Sequence, residues 1–343
     1  MMKKSLIALA VLAASPVAFA ATSNVDVYGQ ARIAYVDNNV STNKSGLADQ
    51  VSRIGLKGSE DLGGGMSAVY GFELGLVLTD SNNTTQATAN GDGETFASRN
   101  KFVGLKGAFG TVLAGTHDTP YKLAGSADVF GDTAADATTG NDSTAGKNMG
   151  IIGRKGAASF DLRAAQALAY VSPDWNGFHF AAAVTNNGGD TDGNIGQTIA
   201  LDSAKSLALV YVNGPLSVKY GYEDHDKLAD ESAQKVTVAY KMGDIGLAAT
   251  YEAQDLAATS DDRTAYLVSA TYAMGPITLA AQTGKAKKDT SGTELERTTI
   301  GATYNLSKRT STYIAYNKDD AGAAAGDGDA DAKTWTIGVN HSF

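Results

Sequence analysis

The sequence predicts an all-β fold: a single sixteen-stranded antiparallel barrel that crosses a membrane, preceded by a short N-terminal leader. Three observations carry this. Apolar and polar residues alternate with a period of two through most of the chain beyond the leader, which places them on opposite faces of strands. The connections between these runs alternate between short Gly/Pro turns and long polar links, as in an up-and-down sheet with one trimmed rim and one elaborated rim. No apolar stretch of about eighteen residues follows the leader, so a helical anchor is excluded and any crossing falls to strands.

The leader comes first. Lys3 and Lys4 precede an apolar run from Leu6 to Ala14, and Ala18-Phe19-Ala20 has the small-x-small form of a cleavage site. Residues 1–20 therefore read as a cleaved signal peptide and 21–343 as one barrel domain. Cleavage leaves 323 residues and takes the net charge from −9 to −11, because it removes two lysines and no acid.

Alternating runs then begin near Val25, Ser52, Met66, Arg99, Thr111, Phe160, Gly177, Lys205, Leu216, Gln234, Ile245, Arg263, Ile277, Arg297, Thr310 and Lys333. Leu216–Glu223 shows the pattern plainly: Leu216, Val218, Tyr220 and Tyr222 on one face, Ser217, Lys219, Gly221 and Glu223 on the other. The last run does the same with Trp335, Ile337, Val339, His341 and Phe343. Short turns fall at Leu62–Gly65, Lys106–Gly110, Ser172–Gly177, Asn213–Pro215, Met242–Asp244, Met274–Pro276 and Ser307–Arg309. Pro173, Pro215 and Pro276 sit in turns and Pro120 opens a long link, so no proline removes a ladder donor from a strand interior. A share of about twenty residues per strand leaves about ten to span a bilayer at a tilt.

Period two suits a soluble sandwich as well as a membrane barrel, since only the direction of the apolar face differs. Three features favour the membrane. Aromatic residues gather near strand ends, as in Tyr70/Phe72, Tyr220/Tyr222 and Trp335/Phe343. The polar face keeps charges in mid-strand, namely Arg53, Lys57, Glu73, Lys219 and Lys241, which a dry core would penalise and a wet lumen would not. The chain also stops at Phe343, directly after an alternating strand.

Composition excludes other classes. With Cys 0 there is no disulfide scaffold, no Cys-ligated metal centre and no thiol nucleophile. An excess of 37 acids over 28 bases does not suit a nucleic-acid partner. No cofactor or metal is expected. Asp327-Gly328-Asp329-Ala330-Asp331 has half the spacing of a calcium loop without its closing Glu, and reads as a flexible acidic loop. Gly63–Gly65 is a hairpin turn, because no helix follows to cradle phosphate. His225, between Asp224 and Asp226, reads as a solvated loop residue, and His117, His179 and His341 are scattered singly without a local catalytic set.

Several segments resemble the Gram-negative general porins, in the branch typical of beta-proteobacteria. These are Val25–Gly29; Ser52-Arg53-Ile54-Gly55-Leu56-Lys57-Gly58-Ser59-Glu60-Asp61-Leu62 with Gly63–Gly65, the most specific; Arg99 with Val103–Val112; Tyr170–Phe178; and Val339–Phe343. They run from end to end of the chain. The resemblance implies a sixteen-stranded barrel in the cell outer membrane, assembly as a homotrimer, contact with lipopolysaccharide, and passive diffusion of ions and small hydrophilic solutes without enzymatic turnover. It also implies that Phe343 is read by the barrel-assembly machinery.

The resemblance further implies that the third long link, about residues 118–159, folds into the pore and narrows it. Its charges are Asp118, Lys122, Asp128, Asp132 and Asp136, then Asp142, Lys147, Arg154 and Lys155. Facing wall arginines are implied at Arg53, Arg99 and Arg163. Opposed charged walls across a narrow pore filter ionic solutes. Two departures from the family pattern, Gly115-Thr116-His117 and Gln166-Ala167, together with the −11 net charge, leave the ion preference open. Arg99 shares parity with Val103 and Leu105, which read as lipid-facing, so it needs a β-bulge or a place above the membrane band to reach the lumen. The alternatives are a substrate-selective channel, an outer-membrane barrel enzyme and an adhesin working through its loops.

Overall fold

The computed structural model describes residues 24–39, 45–79, 96–138, 150–153, 160–185, 204–225, 231–256, 262–292, 294–321 and 331–343. The expected leader, residues 1–20, lies outside them. The strands are β1 (Asn24–Asn38), β2 (Ser45–Asp49), β3 (Arg53–Gly63), β4 (Met66–Leu76), β5 (Phe96–Gly107), β6 (Gly110–Asp118), β7 (Arg163–Val171), β8 (Phe178–Thr185) and β9 (Ala204–Asn213). They continue as β10 (Leu216–His225), β11 (Glu231–Met242), β12 (Ile245–Leu256), β13 (Arg263–Met274), β14 (Ile277–Lys288), β15 (Glu294–Asn305), β16 (Thr310–Ala321) and β17 (Asp331–Ser342). Each pairs antiparallel with its chain neighbour, except that β2 and β3 pair not with each other but both with β1, and β1 pairs with β17, from Gln30↔Ser342 to Asn38↔Thr334, so the sheet closes. Among the described residues no helix is long and apolar enough to cross a membrane.

Seventeen segments make sixteen staves because β2 and β3 are one stave interrupted. The partner of Gln30 is Arg53 and the partner of Ile33 is Asp49, so one residue is extra on the interrupted side. Val51 takes φ 63 there. The break is pinned at three points: the Ser52 amide donates to Asp49 Oδ1 (3.0 Å), the Arg32 amide donates to Ser52 Oγ (2.9 Å) and the Ser52 hydroxyl donates to Arg32 O (3.1 Å). The alternation at the sequence level begins this strand near Ser52 and misses β2, a five-residue piece in a polar link.

Burial shows which face meets lipid. Along β11, Val236, Val238 and Tyr240 are 41%, 39% and 47% exposed, while Lys235 and Thr237 between them are 2% and 6% exposed. A soluble sandwich would reverse this; an apolar exterior around a polar interior is the membrane arrangement. Exposed Tyr211, Tyr240, Tyr272 and Tyr304 form an outward belt towards the short-turn rim, and Tyr35, Tyr251, Tyr266 and Trp335 another towards the opposite rim.

The seam is locked by the last residue. Gly29 and Phe343 exchange both backbone bonds, each 3.1 Å. A Cβ on Gly29 would lie 2.3 Å from Phe343 Cζ and 2.8 Å from the Arg53 carbonyl oxygen. The Gly29→Val substitution is therefore expected to disfavour closure. The fraction migrating as the compact, heat-modifiable band after refolding into detergent should fall severalfold; an unchanged fraction would show that the seam tolerates a side chain there.

Candidate functional site

The link between β6 and β7 turns inward and runs round the inner wall. It begins with a short helix, α1 (Pro120–Ala124), which Thr119 caps by accepting from the Lys122 amide (3.3 Å), with Pro120 in its first turn. Small wall residues make room for it: Ala124 packs with Val171, Ala181 and Ala208.

Buried backbone groups need partners, and the wall supplies them in sequence. The Tyr121 amide donates to Ser206 Oγ on β9 (2.8 Å), the Ala127 amide to Thr250 Oγ1 on β12 (2.8 Å) and the Val129 amide to Gln282 Oε1 on β14 (2.9 Å). Phe130 and Ala135 pack on Ala315 of β16. The tip reaches β1 and β3, where Arg32 donates to Gly131 O (3.2 Å) and both Arg32 and Arg53 hold Asp132 Oδ2 at 3.0 Å.

The link then returns. Arg297 of β15 donates to Asp136 O (2.6 Å) while gripping both carboxylate oxygens of Asp319 (2.7 and 2.6 Å). Arg263 of β13 donates to Ile151 O (2.7 Å) and to Gly150 O. Lys235 of β11 meets Asp161 at 2.6 Å, and Phe160 stacks on His225 of β10, centroids 4.7 Å apart. Ala127, Ala137, Ile151 and Ile152 fill an apolar patch with Ala265, Leu267, Ala286 and Leu295.

Among the described residues the inward link thus covers the wall from β8 to β16 and leaves most of the arc from β1 to β7 bare, its tip touching Arg32 and Arg53 there. The arginines line that arc: Arg32, Arg53, Arg99 and Arg163, from β1, β3, β5 and β7. Arg99 meets Glu73 of β4 at 2.5 Å, and Glu73 accepts from Tyr28 Oη (3.0 Å). Arg163 and Lys122 each approach Asp118 Oδ1 at 3.2 Å. Asn100 bridges the two groups, donating to Asp118 Oδ2 (3.0 Å) and accepting from Arg163 Nε (2.8 Å).

A one-residue bulge lies beside each of the three arginines singled out from sequence. The break at Val51 lies two residues before Arg53. At Arg99, Phe72 pairs with Lys101 but Leu74 with Ser98, which places an extra residue on β5. At Arg163, Gly115 pairs with Ala167 but His117 with Ala164, and Gln166 takes φ 51. A bulge resets the period-two phase and re-aims a side chain. Arg99 therefore reaches Glu73, although its parity from the sequence puts it with Val103 and Leu105.

The acids of the link divide. Asp118 stands at the end of β6 and Asp132 at the tip. For Asp132, burial opposes ionisation, but Arg53 and Arg32, with Arg99 further off, outweigh it and hold the carboxyl below the usual carboxylate range. Asp128 and Asp136 serve the link itself. Asp128 Oδ1 accepts from the Phe130 amide (3.0 Å); Asp136 accepts from the Asp132 amide (2.9 Å) and the Thr138 amide (2.6 Å). Burial, then the neighbouring Asp136, pushes the Asp128 carboxyl up. Asp142, Lys147, Arg154, Lys155 and the acidic run through Asp327 and Asp329 lie outside the described residues.

Two readings from sequence change. Arg32 is missing from the sequence-derived wall, although it shares the polar face of β1 with Tyr28 and Gln30. His225 is not a solvated loop residue: it is 2% exposed, its Nε2 lies 3.1 Å from Glu223 Oε1, and Phe160 covers its ring. The reason is that β10 runs on to residue 225 and the returning link packs on it.

Comparisons with known proteins agree with this geometry. The family model described as Gram-negative porin matches residues 8–324. The chain is 29% identical to the major outer membrane protein P.IB of Neisseria gonorrhoeae, with 92% of each chain covered. It is also 29% identical to outer membrane porin protein 32 of Delftia acidovorans, with 100% of each covered. Among solved structures it resembles an anion-selective porin from Comamonas acidovorans, at TM-score 0.73 and 23% identity, over 94% of this chain and 100% of that one. The closed polar-lined barrel, its inward link and the family match together make this chain a member of the Gram-negative porin family, an integral outer-membrane barrel that passes ions and small hydrophilic solutes by passive diffusion.

Proposed function

We propose that the passage between the bare arc and the tip of the inward link is the constriction, and that it favours anions. The observation that carries this is local charge. Among the described residues Arg32, Arg53, Arg99, Arg163 and Lys122 stand against Glu73, Asp118 and Asp132, five cations to three carboxylates, in a chain whose overall charge is −9. The field at the narrowest point, not the net charge, filters ions. Asp128 and Asp136 add little, since their carboxylates are bound by the link's own backbone. The zero-current potential across a planar bilayer under a KCl gradient tests this: the sign expected is that of chloride preference, and a potassium-directed sign would overturn it.

The same reading takes the chain as a homotrimer that works without turnover, with residues 1–20 removed on export and 21–343 forming the barrel. Phe343 is its assembly signal to the barrel-assembly machinery, which fits its place at the seam, and the outer rim meets lipopolysaccharide. Cross-linking in native membranes and the mass of the exported chain check the first two of these structural claims.

A further inference from the structure

Both limbs of the inward link converge on one buried carboxylate, Glu252 of β12, which is fully buried. From the ingoing limb, Tyr121 Oη donates to its Oε2 (2.7 Å). From the returning limb, the Gly153 amide donates to Oε2 (2.9 Å) and Oε1 (3.1 Å). From the wall, Gln254 Nε2 (2.6 Å) and Arg263 (3.2 Å) donate to Oε1. Arg263, itself fully buried, carries the tie further, to the carbonyls of Gly150 and Ile151. Lys235 joins the limbs a second time, with its ammonium 4.0 Å from the Tyr121 ring centroid and 2.6 Å from Asp161.

We propose that Glu252 is the positioning residue of the constriction: it touches no solute, and it fixes the width of the passage by holding the two limbs to each other and to the wall. This rests on the reading of the link as the constriction. The chemistry favours a carboxylate here. Four donor groups point at it, and two ionised oxygens offer about four lone-pair sites. A glutamine of the same shape offers one carbonyl oxygen and turns two donors of its own towards the others, and it leaves the Arg263 charge without this acid.

Single-channel recording in planar bilayers tests the proposal. Glu252→Gln is expected to give barrels of normal heat-modifiability whose open-state current noise and brief partial closures rise severalfold over wild type. Tyr121→Phe, which removes one hydroxyl and no charge, is expected to raise them about twofold, and supplies the readout if Glu252→Gln assembles poorly. The chain has Cys 0, so a thiol pair can be placed cleanly. Ile151 and Leu267 both lie over Gly284. Ile151→Cys with Leu267→Cys, bridged by a short bis-methanethiosulfonate, which forms a disulfide with each thiol and releases methanesulfinate, in the Glu252→Gln background, is expected to restore quiet steps. Wild-type steps with an equally quiet Glu252→Gln channel, or noise that survives bridging, would overturn the role of Glu252. A folded wild type that never conducts would instead overturn the constriction reading on which it rests.

Discussion

Replacing Asp132 by Asn is expected to raise the chloride-to-potassium permeability ratio about fivefold, measured as a shift in zero-current potential. The tip carboxylate is held by two of the wall arginines at once, with Arg32 and Arg53 both 3.0 Å from its Oδ2, and a third of its side chain (34%) is exposed. Removing that charge leaves both guanidinium groups facing the passage. A unit charge about 5 Å from a permeating ion is worth about 1 kcal/mol in water, with opposite sign for chloride and potassium, and screening by the two arginines and by salt leaves about 1 kcal/mol between the two ions, a factor of about five. Salt shrinks the effect, so it should be largest at low ionic strength. Because Arg53 and Arg32 hold the Asp132 carboxyl below its ordinary range, its charge is present above that depressed value and is lost only as pH falls through it. The variant and the wild type should therefore still differ at about pH 4, where a free Asp carboxyl is already half protonated. Equal selectivity at neutral pH would mean that the tip does not face the ion path.

The second large effect is on stability. Arg297→Met is expected to destabilise the barrel by about 3 kcal/mol, at the low end of the cost of breaking a buried ion pair because Asp319 retains some water. Arg297 is 2% exposed, grips both oxygens of Asp319, whose side chain is 14% exposed, and donates to Asp136 O. Met leaves the carboxylate unpaired and removes the donor at Asp136. The double variant Arg297→Met with Asp319→Leu should recover much of the loss, since it leaves no uncompensated charge and only the Asp136 carbonyl short of its donor. Urea titration of heat-modifiability in detergent measures both. A single variant as stable as wild type would show that this pair does not hold the returning limb.

The barrel was legible in sequence because its signal is local. In β10 to β17 each strand alternates cleanly, since one face meets lipid along its length, and every stave except the one that begins with β2 starts within a few residues of the alternation. Legibility failed where that phase breaks. The bulges beside Arg53, Arg99 and Arg163 insert one residue each, so parity misdirects Arg99 and hides β2 as part of a stave. Arg32 carried a readable signal, a mid-strand arginine on the polar face of β1. The ties that hold the inward link carried none. Tyr121 and Glu252 are 131 residues apart and Arg297 and Asp136 are 161 apart, and nothing local to either marks the other. The wall's many alanines read as weak strand formers, whereas their small size is what lets the link lie flat against β8 and β9.

This barrel conducts passively through a water-filled constriction. Single-channel current from purified, folded protein in a planar bilayer tests it most directly, recorded over a series of KCl concentrations. Discrete steps are expected, with conductance rising in proportion to salt and a zero-current potential of the chloride sign. A folded, heat-modifiable barrel that passes no current would contradict it.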